Sequence, residues 1–265
     1  MKRLWTGLIC ILIALLLLAV SGIGLFQRPS ERMHGASGWD KVDLTLDRKT
    51  RDYPSLLHYA SARMSGSERE KALALFDIVS RRFVHGLSTE SLFTSYPQYL
   101  LGGPFRPSFS RDRILRLGNE GFCSQQSYIL VQLANDLGLH SRQVGLNGHV
   151  VAEIWYDGDW HMFDPDYELA IPGPGGNVAS VAELERDHPR LSSAYGSRNA
   201  LNVVPFYESR VDNTYMSYPP GSYFEWKSNL LLYVTEGLQL LKWIFPLVLL
   251  AVGWLLIRNR PLRVR

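Results

Sequence analysis

The run "LWTGLICILIALLLLAVSGIGLF", from Leu4 to Phe26, contains no charged residue and follows directly on Lys2 and Arg3. About 20 apolar residues in a helix cross a hydrocarbon core of about 30 Å. A basic pair ahead of such a run places the N-terminus on the cytoplasmic side. A secretory signal peptide is the rival reading, with Ala19-Val20-Ser21 as a small-residue cleavage site. The apolar residues continue past that point to Phe26, which favours a retained signal anchor over 4–26.

A second apolar stretch of 15 residues runs from Trp243 to Ile257. At about 1.5 Å per residue it is short for a span. It extends back to Leu238 if Lys242 snorkels to the interface, and a membrane helix tolerates Pro246 and Gly253. The tail "RNRPLRVR" over 258–265 carries four arginines and no acid, a cytoplasmic signature. The sequence therefore predicts spans at 4–26 and 238–257, both termini inside and the middle outside. This topology suits a bacterial inner membrane. A buried core helix is the competing reading of 238–257.

Topology also explains the charge. Of 28 basic and 25 acidic residues, setting aside Lys2, Arg3 and the tail arginines leaves 22 basic against 25 acidic. The central domain is near neutral, without the basic footprint of a nucleic-acid binder.

Gln27 to about Asp52 is polar and reads as a tether. "YPSLLHYASARM", from Tyr53, predicts a first helix. Ser67 and Glu70 form a capping box, and Ala72, Leu75, Phe76, Val79 and Phe83 follow at helical spacing. Residues 87–120 are loop-rich. Cys123 to Leu137 predicts a helix closed by Gly138, apolar over most of its circumference and so placed mid-domain. Strands follow at about 141–146, 149–156 and 159–163, then a second capping box at Ser180 and Glu183. The domain as a whole runs over 53–230.

The strands carry a geometric argument. "HVVAEIWYDGDWHMFD" is a hairpin with Asp157-Gly158 at the turn. A two-residue loop pairs Trp155 with Trp160, Glu153 with Met162 and Val151 with Asp164. Alternation puts His149, Val151, Glu153 and Trp155 on the face shared by Asp164, Met162 and Trp160. His149 and Asp164 become diagonal neighbours with backbones roughly 7–8 Å apart. His161 points to the other face. A bulged three-residue loop would undo this register.

Of the two cysteines, Cys10 lies in the apolar run, so Cys123 has no evident disulfide partner. A thiol at a helix N-terminus is favoured as thiolate by the macrodipole. An adjacent imidazole strengthens this by forming an ion pair, and a carboxylate behind the imidazole fixes its tautomer. Cys123, His149 and Asp164 thus supply nucleophile, base and orienter. Each has a plainer reading as well: a buried inert cysteine, a strand-start histidine, and an aspartate capping the Asp-Pro-Asp turn. The same three side chains could ligate zinc, but no CxxC or HxxxH spacing supports a metal site.

"GFCSQQSYILVQLANDLGLHSRQVGLNGHVVAEIWYDGDWHMFDPD" resembles the catalytic core of the transglutaminase-like superfamily. The resemblance lies in the Gly-x-Cys before the central helix, the Gly-Leu that ends it, Arg142 on the next strand, and a His opening the strand after. A Trp followed by Phe-Asp-Pro completes it. It covers roughly 68–168 and is best over 118–166. It implies an α+β fold, distantly papain-like, with the Cys-bearing helix packed on an antiparallel sheet. It also implies Cys123 as nucleophile, His149 as general base and acid, Asp164 as orienting carboxylate, and no metal or organic cofactor. Many relatives have Thr or Ser where this chain has Asp166, which makes Asp166 a candidate contact for the histidine or a substrate amine.

The backbone N–H of Cys123 is a natural first oxyanion donor. No Trp lies between Trp39 and Trp155, so an upstream indole donor is absent, and Asn119 and Gln98 are the side-chain candidates for the second. Glu153 is either a cleft acid or part of a solvated strand face. Trp155 is either a substrate platform or half of a cross-strand pair with Trp160. Arg142 fits an internal salt bridge better than substrate binding. The expectation is a membrane-anchored thiol enzyme acting on protein or peptide-like amides near the bilayer, by hydrolysis or acyl transfer. The alternative is a non-catalytic scaffold of the same fold, with partners in a membrane complex handling envelope polysaccharide or protein.

Overall fold

The structure is a computed structural model that describes residues 2–26, 42–85, 111–116, 118–208, 214–216 and 223–258. In chain order its elements are α1 (Lys2–Phe26), α2 (Leu44–Lys49), α3 (Tyr53–Ser61), α4 (Glu68–Arg82), β1 (Val84–His85), α5 (Arg111–Arg116), β2 (Glu120–Gly121) and α6 (Cys123–Asp136). There follow β3 (Ser141–Gly145), β4 (Val150–Tyr156), β5 (Asp159–Phe163), α7 (Val181–Leu184), α8 (His188–Gly196), α9 (Val204–Glu208), β6 (Thr214–Met216) and α10 (Tyr223–Arg258). The described residues fall into two units, one of 2–26 and 230–258, the other of the residues from 42 to 229.

In the larger unit the local signals act as their chemistry requires. Ser67 Oγ accepts from Glu70 N at 3.2 Å, and Glu70 Oε2 accepts from Ser67 N at 2.8 Å. This reciprocal cap starts α4. Helix α6 begins with Phe122 N–H donating to Gln125 Oε1 at 3.1 Å. It ends at Gly138, whose φ of +84° is open to glycine, and Leu139 N–H closes onto Ala134 O at 2.8 Å. The β4–β5 turn has positive φ at both Asp157 (50°) and Gly158 (83°), as a type I′ hairpin needs. The register follows: Trp155 faces Trp160, Ile154 faces His161, and Glu153 faces Met162.

The four-stranded sheet has the order β5-β4-β3-β6, antiparallel throughout. Strand alternation divides the core into two layers. Ala152, Ile154, Tyr156 and Phe163 face a cluster holding Ile129, Leu130 and Leu133 of α6 with Leu75 and Val79 of α4. Val144, Val151 and Met162 face a second cluster with Val181, Leu184, Leu191, Tyr195 and Tyr207. Helix α6 is therefore buried between α4 and the sheet, and its first residue opens beside the end of the hairpin opposite the turn. The expected mixed helix and sheet architecture is present, with an antiparallel sheet and apolar helices near both ends.

Two features lay outside the sequence reading. Helix α2 forms within the stretch read as tether; Asp43 caps it, and Leu46 joins the core. Arg82, at the end of α4, is buried with its guanidinium 2.8 Å from Asp47 Oδ1. It donates to Thr50 Oγ1, Leu115 O and Gly118 O at 3.0, 3.0 and 3.1 Å. Burial pulls its pKa down to about 10 against the pull of Asp47. One cation thus fastens α4 to α2, α5 and the approach to β2. Beyond it, β1 and β2 pair in parallel, setting His85 beside Gly121.

In the smaller unit, α1 and the later part of α10 run antiparallel. A Cβ on Gly7 would sit 2.8 Å from Gly253 O, and a Cβ on Gly253 would sit 2.8 Å from Gly7 O. Two glycines therefore let the backbones approach as in packed membrane helices. Ser21 Oγ reaches Lys242 O at 3.5 Å further along. Lys2–Gly22 and Leu240–Arg258 are long and apolar enough to cross a membrane. The helix continues N-terminal of the span read from the sequence, to Tyr223.

Candidate active site

Cys123 is the first residue of α6 and partly exposed. The leading N–H groups of a helix have no intrahelical acceptor, so its own backbone N–H is available to an anion at the sulfur. His149 precedes β4, after Gly148, whose φ is +115° and where a Cβ would lie 2.8 Å from the Phe206 ring. A larger residue there would strain the backbone and strike that ring, so glycine sets the entry to His149.

His149 Nε2 lies 2.8 Å from Asp164 Oδ2, with both side chains buried. A nitrogen of the same ring lies within 4.8 Å of the Cys123 sulfur; with Nε2 engaged by Asp164, Nδ1 is the nitrogen left for the thiol. Burial opposes a charge on His149, but the Asp164 carboxylate and Cys123 outweigh it and hold its pKa well above the usual imidazole value. Tyr167 presents its ring to the imidazole, centroids 5.4 Å apart.

Asp164 is fixed on every side. Its Oδ1 accepts from the N–H groups of Asp166 and Tyr167 at 3.1 and 3.2 Å. Its backbone exchanges both hydrogen bonds with Leu169, at 2.8 and 2.9 Å. Tyr195 Oη donates to Oδ2 at 2.6 Å and contacts Tyr207 Oη at 2.7 Å. Burial first, then the Asp164 charge, holds the Tyr195 phenol well above its usual pKa, so it stays a donor.

Asp166 enters the site from the same loop. Its oxygens lie 2.8 and 2.9 Å from His85 Nδ1, and Gln126 Nε2 donates to Oδ1 at 2.8 Å. Burial raises its pKa, against the pull of His85. Ligand atoms of Cys123, His149 and Asp166 all lie within 4.8 Å of one another.

The other described candidates have partners of their own. Asn119 is buried, and its backbone carbonyl accepts from Val84 N–H at 2.8 Å. Gln98 lies outside the described residues. Glu153 is buried, with Oε2 held 2.6 Å from Arg142 Nη2 and Oε1 accepting from Val181 N–H at 2.8 Å. Trp155 packs edge-on against Trp160, centroids 5.3 Å apart, next to the hairpin turn and so at the end away from His149. Sequence reasoning missed His85, Gln126 and Tyr195. Gln126 alone had a local signal: it lies one helical turn after Cys123.

No family model matches the chain, and no curated protein matches it. A solved structure described as "Crystal structure of a TGase" is 17% identical, with a TM-score of 0.31. The match covers 51% of this chain and 34% of that chain, so this chain spans about a third of that structure's length. A likeness of that size does not bear on the chemistry. The Cys, His and Asp geometry stands on its own distances.

Proposed function

We propose that the chain is a membrane-anchored thiol enzyme of the transglutaminase-like type, acting on amide bonds near the outer face of a membrane. The observation that carries this reading is the imidazole of His149, held by Asp164 on one side, with the Cys123 thiol at a helix start within 4.8 Å on the other. The Cys123 thiolate attacks an amide carbonyl, forming a C–S bond and an oxyanion that the Cys123 N–H receives. As the C–N bond breaks, His149 gives its proton to the departing amine, leaving a thioester on Cys123. Water, deprotonated by His149, then releases an acid and restores the thiol. An amine in place of water gives acyl transfer. The triad asks for no cofactor, and the near-neutral domain charge fits a protein or peptide-like substrate rather than nucleic acid.

Read as spans, Lys2–Gly22 and Leu240–Arg258 would set the domain beside the bilayer, and the basic residues flanking them would keep both termini inside. A green fluorescent protein fused after Arg265 should fluoresce in an inner-membrane host; a dark fusion at full expression reverses the orientation. Catalysis is tested by alkylation. In a Cys10→Ser background, Cys123 should react with iodoacetamide at neutral pH faster than the same thiol in the urea-unfolded chain. Cys123→Ala should keep the fold and lose function. An alkylation rate no greater than that of the unfolded chain, with function intact in Cys123→Ala, favours the scaffold alternative.

A further inference from the structure

The third group next to the thiol and imidazole is Asp166, not the Asp164 of the triad. Asp164 lies behind the ring, on Nε2. Cys123, His149 and Asp166 instead converge, with their ligand atoms all within 4.8 Å of one another. They come from the start of α6, the residue ahead of β4 and the loop after β5. A thiolate, an imidazole and a carboxylate form a donor set suited to zinc.

We propose that these three side chains bind a thiophilic divalent cation of the zinc class, and that the bound ion silences the thiol. The silencing rests on Cys123 being the nucleophile; the binding does not. Charge closes: a dication meets one thiolate and one carboxylate, with His149 neutral. Binding therefore releases to solvent the proton that His149 and Cys123 share, and water completes a tetrahedral shell. Bond lengths of about 2.0–2.3 Å put tetrahedral ligand atoms roughly 3.3–3.7 Å apart. A closure of about 1 Å, by rotation of the Cys123 and His149 side chains, meets this.

The outer groups are already placed. Asp164 takes the far nitrogen of His149, as carboxylates do behind metal-bound histidines. Gln126 and His85 hydrogen-bond to Asp166 and would hold a ligating carboxylate in place. Among the described residues Gln126 Oε1 is buried without a hydrogen-bond partner, and the amide donates through Nε2, to Asp166 and to Gly121 O at 3.0 Å. Asp164 cannot join the ion without giving up Nε2, which distinguishes this site from one built on the triad itself.

The test uses the full chain in detergent with Cys10→Ser, so that Cys123 is the only thiol. One equivalent of Co2+ should produce a thiolate-to-metal charge-transfer band and the visible bands of a tetrahedral ion. Zn2+ should protect Cys123 from iodoacetamide, and a chelator should restore the rate. Asp166→Asn should weaken Co2+ binding by at least about tenfold, and Zn2+ protection, judged against that variant's own metal-free rate, should fall in step. Cys123→Ser should abolish the charge-transfer band, and this serves if Asp166→Asn does not fold. Absence of the band in the parent, or undiminished binding in folded Asp166→Asn, overturns the site. A slow metal-free alkylation with the Co2+ band present instead removes the catalytic reading and leaves the ion site standing.

Discussion

Tyr195 donates its phenol hydrogen to Asp164 Oδ2 at 2.6 Å, the same oxygen that holds His149 at 2.8 Å. The two donors divide one carboxylate charge. Tyr195→Phe removes one claimant, so Asp164 stabilises the His149 imidazolium more strongly. The alkaline limb of the Cys123 alkylation profile should then move to higher pH, while the fold loses about 1 kcal/mol for the missing hydrogen bond. A downward move would mean that Tyr195 does not draw on the Asp164 charge.

Asp164→Asn keeps the shape and removes the charge. A carboxamide has one acceptor oxygen, yet His149 Nε2, Tyr195 Oη and the N–H groups of Asp166 and Tyr167 all point at this side chain. Imidazole orientation is lost along with the ion pair. Turnover should fall by about 10⁴-fold, the scale seen when a triad aspartate becomes asparagine. Alkylation of Cys123 at neutral pH should drop to the rate of the unfolded chain. Retention of the parent's alkylation rate would detach Asp164 from the thiol's reactivity.

His149 also links stability to pH. Its folded pKa is raised well above the ordinary imidazole value: burial opposes this, and Asp164 and Cys123 outweigh burial. Unfolded, it titrates near about 6.5. Between those two values His149 holds a proton in the folded chain that it lacks in the unfolded one, so this group's contribution is complete below about pH 6.5 and fades as pH rises through the folded value. Unfolding free energy in detergent should therefore decline on the alkaline side, and His149→Gln should flatten that decline. An equally steep fall in the variant assigns it to other groups.

Much of this site was legible because short-range rules fix it. Asp157-Gly158 admits a two-residue turn, and that turn sets the β4–β5 register and so the face shared by His149 and Asp164. Helix α6 announces itself through its apolar circumference and Gly138. His85 was not legible, because a two-residue parallel ladder brings it to Gly121 from far along the chain. Tyr195 was not legible either: it arrives from α8 in an aromatic-rich segment without period, and only packing aims its phenol at Asp164. Helix α2 escaped because six residues are too few for a pattern. The early turns of α10 escaped because a span is read from unbroken apolarity, and "YFEWKSN" breaks it with Glu225, Lys227, Ser228 and Asn229.

Arg142 and Glu153 provide a test of stability apart from the thiol. The Arg142 guanidinium lies 3.9 Å from the Trp160 ring centroid and 4.4 Å from that of Tyr215, and its Nε donates to Glu153 Oε2 at 2.8 Å. Arg142→Ala leaves a buried carboxylate with the Val181 N–H and no cation, at a cost of about 3–5 kcal/mol. Arg142→Lys should recover only part, since an ammonium cannot both fork onto Oε2 and stack between two rings. Burial already raises the Glu153 pKa while Val181 and Arg142 oppose it, so losing Arg142 raises it further. A carboxyl whose folded pKa exceeds its unfolded value loses stability as pH climbs between the two. The penalty of Arg142→Ala in denaturant unfolding should therefore be larger at pH 7 than near about pH 4.5, and a penalty independent of pH would place its origin in lost ring packing rather than in the stranded charge.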